Sequence, residues 1–76
     1  MPDTFTQFRQ LLDAVDRWLP VYLASELSAK ERALAMSLQR YVSRCRRDVQ
    51  KWRSESAAER AILKINRMWY QLYFRK

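Results

Sequence analysis

Residues 28–33 read SAKERA and residues 56–61 read SAAERA, the second stretch beginning twenty-eight positions after the first. Each opens with a serine that is followed three positions later by a glutamate: Ser28 with Glu31, and Ser56 with Glu59. In such a capping box the hydroxyl accepts from the backbone N–H three residues on, and the glutamate reaches back to the serine's own N–H. The cap stabilises a helix by about 1 kcal/mol, enough to fix where it starts. The likeness fades after the alanine, and two copies are fewer than stacked repeats need. The shared letters therefore mark shared helix starts. Thr4 with Gln7 supplies a third match.

Apolar spacing divides the chain in the same way. Phe5, Phe8, Leu12, Val15, Leu19 and Tyr22 recur at steps of three and four, one face of a helix. Pro20 sits within that pattern, removes one ladder hydrogen bond and disfavours helical geometry at Leu19. The first helix is expected over 5–19, kinked or broken at Pro20, with a turn or short helix over 20–26. Leu34, Leu38, Tyr41, Cys45, Val49 and Trp52 form the next stripe, predicting a long helix over 29–53. Residues 54–56, SES, break it and launch a third helix over 57–74, whose stripe is Ala58, Ile62, Ile65, Trp69 and Leu72. Glycine is absent and Asn66 is the only asparagine, so β-hairpin turns with positive φ lack their usual residues. The predicted fold is all-α: one domain over 1–76, a small three-helix bundle or a long helical hairpin with the first helix packed across it.

Seventy-six residues bury only about 60% of the surface that the unfolded chain exposes, but ten aromatic residues supply core material. Without histidine, and with one cysteine, the chain lacks the makings of a zinc site, a disulfide or a Ser/His/Asp relay. The longest apolar run, WLPVYLA at 18–24, is too short to span a bilayer. No secretory-signal pattern is legible at the amino terminus, so a cytoplasmic protein is expected. Cys45 falls on an apolar stripe and is expected in the core.

Six of the eight carboxylates have local duties. Glu31 and Glu59 close caps, Asp3 favours a helix start, Asp13 can pair with Arg17, Asp48 answers Arg44, and Glu55 adjoins a helix start. No paired-carboxylate pocket remains, so neither an enzyme nor a cofactor is expected.

Charge is lopsided. Residues 1–38 hold four basic and five acidic side chains, whereas residues 39–76 hold eleven and three. Eleven of the fifteen cations are arginine, whose planar fork suits carboxylates and phosphates. At 100° per residue Arg40, Arg44, Arg47 and Lys51 form one row along the second helix, with Arg46 and Arg53 beyond the apolar stripe. A purely solvated face, balanced by Asp13 and Asp16 of helix one, would explain such a row without any ligand.

On the third helix Leu63, Tyr70 and Phe74 line up away from the core stripe, flanked by Arg60, Lys64, Arg67, Gln71 and Arg75. Either this second stripe packs on helix one, or it is a contact surface. The favoured expectation is a non-enzymatic regulator or adaptor that binds an acidic protein partner through Leu63, Tyr70, Phe74, Arg60, Lys64 and Arg67, with a homodimer as another use of that face. The alternative is a DNA- or RNA-binding accessory protein using Arg40, Arg44, Arg47 and Lys51, with Tyr70, Phe74 and Trp52 available to stack on bases. Lying on an anionic membrane would suit the third helix alone.

Overall fold

The first helix starts one residue earlier than the Thr4–Gln7 pattern predicts. Asp3 is extended (φ −74°, ψ 173°) and its carboxylate accepts the Thr6 N–H at 2.7 Å, so an aspartate is the cap. The computed structural model describes residues 3–74. It contains helices α1 (Thr4–Leu23), α2 (Ala29–Arg47) and α3 (Glu55–Tyr73), with a 3-10 turn at Val49–Trp52; the described residues include no strand.

Helix α1 does not end at Leu19; it runs through Pro20 to Leu23. Proline costs a helix interior about 3 kcal/mol through its missing N–H and its clash with the carbonyl four residues back. Here only the last turn bears that cost, and packing offsets it. Trp18 stacks on Tyr22 at 4.5 Å between centroids, and Trp18 meets Trp69 of α3 at 5.6 Å. Ser28 and Glu31 form the expected capping box of α2, at 3.1 Å and 2.9 Å.

The expected end of α2 at residue 53 is wrong. The helix stops at Arg47 because Asp48 turns extended (φ −84°, ψ 98°) and spends its carboxylate on the Gln50 N–H at 3.1 Å and the Lys51 ammonium at 2.7 Å. Aspartate offers the backbone this local alternative to helix. Trp52 then folds back: its indole N–H donates to the Cys45 carbonyl at 2.9 Å, and its ring lies 4.6 Å from Phe8. Val49, expected in the core, is therefore exposed.

The expected Ser56 cap of α3 is also corrected. Ser54 is the cap, accepting from the Ala57 N–H at 3.3 Å, and the helix gains Glu55 in its first turn, where a negative charge complements the helix dipole.

Four side chains from each helix close the core: Phe8, Leu12, Val15 and Leu19; Ala35, Leu38, Val42 and Cys45; Ala58, Ala61, Ile65 and Leu72. On α2 the buried arc is rotated from the predicted stripe. Ala35 and Val42 are buried whereas Leu34 and Tyr41 are half-buried, because a helix with two neighbours buries an arc wider than its largest residues mark out.

Phe8 against Trp52, Trp18 against Trp69, and a groove shared by Lys30, Leu34, Tyr70 and Phe74 fix the topology. Helices α1 and α3 run parallel and touch each other, and α2 packs antiparallel against both, giving a three-helix bundle. It measures 38 × 24 × 17 Å, and helices are about 10–12 Å across, so every helix keeps an outward face. Both connections use only right-handed or extended backbone: no described residue has positive φ.

Candidate functional site

The second stripe of α3 is the face the bundle leaves uncovered. Leu63, Tyr70 and Phe74 are 63%, 63% and 61% exposed, so this stripe does not pack on α1. Tyr70 and Phe74 rings lie 4.3 Å apart, and Tyr73, 62% exposed, meets Phe74 at 5.1 Å. These three rings form a ridge at the carboxyl end of α3. Leu63 shares their face but sits two turns back, about 10 Å along the axis from Tyr70.

A shallow groove flanks the ridge on each side. Toward α1 it is lined by Asn66, Trp69, Tyr70, Tyr73 and Phe74; toward α2 it is lined by Lys30, Leu34, Tyr70, Gln71 and Phe74. Trp69 Nε1–H, in the first groove, is buried without an acceptor among the described residues. Tyr73, Trp69 and Lys30 are site residues that the one-helix pattern missed. Tyr73 points toward α1 by helical phase and joins the ridge only through the reach of its ring. Lys30 arrives from α2, which no periodicity within α3 could reveal.

The cations separate into engaged and open ones. Lys64 places its ammonium 4.5 Å above the Tyr41 ring, tying α3 to α2 as a cation–π contact. Arg60 and Arg67 are exposed on the same flank and form no ion pair among the described residues. Arg75, the last predicted flank residue, lies outside the described residues.

On α2, Arg46 takes both acids expected to balance the row. Its guanidinium donates to Asp13 at 2.8 Å and to Asp16 through Nε at 3.0 Å, which raises its pKa. The pairing of Asp13 with Arg17 is replaced by this inter-helix clamp. Asp48, expected to answer Arg44, pairs with Lys51 instead, and that hydrogen bond is the main cause of its lowered pKa. Lys51 thus leaves the predicted row for the 3-10 turn. Arg40, Arg44 and Arg47 remain exposed along the outer face of α2, sharing a shallow surface with Gln39, Ser43 and Asp48.

Trp52 is half-buried, packed against Phe8 with the Arg9 guanidinium 6.0 Å from its ring centroid, rather than standing out as an open platform. Cys45 is fully buried, and burial pushes its thiol up. Burial likewise pushes the Tyr41 phenol up to about 12, with the neighbouring Cys45 adding to the shift.

Among the described residues no cluster of three or more His, Cys, Asp or Glu side chains could hold a metal ion, and no helix is long and apolar enough to cross a membrane. No family model matches the chain, and neither does a curated protein or a solved structure.

Proposed function

We propose that this protein is a non-catalytic binding module, an adaptor or regulator, whose α3 ridge docks onto an acidic protein partner. The observation that carries it is the exposure of three rings, Tyr70 and Tyr73 each packed on Phe74, on the helix that also carries the open arginines Arg60 and Arg67. Rings and arginine are the residue types that anchor interfaces, and contiguous exposed apolar surface is costly to keep without a use. The grooves on both sides give a partner's side chains somewhere to sit. Charge decides between partners. A second copy of this chain carries the same net charge of +7, so pairing two copies sets like charge against like charge. An acidic surface would neutralise Arg60 and Arg67 instead.

The test uses photo-crosslinking in nuclease-treated native extract, with a benzophenone side chain at Leu63 and, as control, at the exposed Val21. A discrete acidic protein cross-linked from position 63 alone, and lost in Tyr70→Ala/Phe74→Ala, is the expected outcome. That double variant should melt within a few degrees of the parent, because exposed side chains contribute roughly ±0.5 kcal/mol. A collapse in Tm would show that the rings are core. Cross-links from both positions, or only a second copy of the chain, would refute the acidic partner.

A further inference from the structure

We infer that the outer face of α2 is a second, separate binding surface, on which Arg40, Arg44 and Arg47 grip the phosphate backbone of duplex DNA. The local acids that could neutralise this row are committed elsewhere: Asp13 and Asp16 to Arg46, Asp48 to Lys51 and the Gln50 N–H, Asp3 to a cap. Arg40, Arg44 and Arg47 keep no ion pair or hydrogen bond among the described residues, and all three are exposed. The helix dipole favours cations in the last turn, which accounts for Arg44 and Arg47 near the carboxyl end of α2. It does not account for Arg40, two turns from that end, nor for setting three like charges at i, i+4 and i+7, where they repel.

The row is straight, and seven residues at 1.5 Å each make it about 10 Å long. Duplex DNA presents one negative charge per about 1.7 Å of its axis, a density and regularity suited to three aligned guanidinium forks. Gln39 and Ser43, which share the surface, add uncharged donors of the kind that bond phosphate oxygens. Two competing ligands fit less well. A membrane-surface helix needs several large apolar side chains on the bound side, whereas the row shares its surface with Gln39, Ser43 and Asp48, and Met36 is the one exposed large apolar side chain described on α2. Single-stranded nucleic acid needs stacking platforms, yet the exposed rings lie on α3 and Trp52 is packed on Phe8. A B-form groove also admits a helix, whereas the major groove of duplex RNA is too narrow.

This surface does not depend on the α3 ridge, and the experiment keeps the two apart. Fluorescence anisotropy with a short mixed-sequence DNA duplex is measured on the full chain between about 50 and 200 mM salt. The parent should bind with a steep log–log slope. Arg40→Gln/Arg44→Gln/Arg47→Gln should bind at least roughly tenfold more weakly and lose about 3 from the slope, at about 0.9 per phosphate contact. Arg44→Gln alone should lose about 1, which covers the case of a triple variant that folds poorly by circular dichroism. Tyr70→Ala/Phe74→Ala should bind DNA as the parent does. No binding at the lowest salt, an equal loss in Arg60→Gln/Arg67→Gln, or tighter binding to duplex RNA or to phosphatidylserine vesicles would each overturn the assignment.

Discussion

Asp48 joins two jobs in one carboxylate. It ends α2 by accepting from the Gln50 N–H and it holds Lys51 at 2.7 Å, so the ionised form is favoured in the fold and the pKa falls below its ordinary 3.8. A group lowered in this way stabilises the protein above its unfolded pKa, and that contribution is lost as pH falls through the folded value. Asp48→Asn should therefore melt below the parent at neutral pH and show a flatter fall in Tm on acidification; an unchanged Tm profile from neutral to acid pH would mean the pair contributes nothing. The burial of Cys45 follows directly from its place on an apolar stripe. The break at Asp48 does not, because an aspartate in a helical pattern is only mildly unfavourable. Its effect depends on Gln50 and Lys51 being within reach once the chain has already turned.

Helix boundaries depend on which of several adequate caps the packed chain selects. Ser54 and Ser56 both stand where a third helix could start, and the capping-box template picks Ser56 because Glu59 stands three residues on. The bundle picks Ser54, extending α3 back to Glu55. Ser54→Ala should cost about 1 kcal/mol, read from urea melts, and Ser56→Ala, on an exposed position inside the first turn, should stay within about 0.5 kcal/mol. The reverse order would restore the boundary that the capping-box pattern predicts. Pro20 makes the same point at the other end of the bundle. Local propensity argues for a stop, while the Trp18, Tyr22 and Trp69 rings hold the helix together for another turn. Periodicity located all three helices because four side chains from each are sealed in one core, but it could not weigh caps against contacts made by a distant helix.

Across the molecule, positive charge is concentrated on α2 and α3 while Asp13 and Asp16 of α1 are drawn to Arg46. Self-repulsion among the open arginines is screened by salt over a distance of about 10 Å at 0.1 M. Tm should therefore rise modestly with sodium chloride in the parent and rise less in Arg40→Gln/Arg44→Gln/Arg47→Gln; a fall in the parent would mean that attraction within the ion pairs outweighs the repulsion. The ridge was legible as a stripe with no core to join, since a 17 Å-thick bundle has too few helices to cover it. Its grooves were not, because Asn66, Trp69, Lys30 and Leu34 reach them from different faces and helices. The connections carry a further implication. With every described φ negative, a Cβ is tolerated at each joint, so none of them needs glycine. The exposed Glu26, which is neither a cap nor part of the core, is thus a point where short recognition loops can be inserted, as in a display library, at the end of the bundle that carries the ridge.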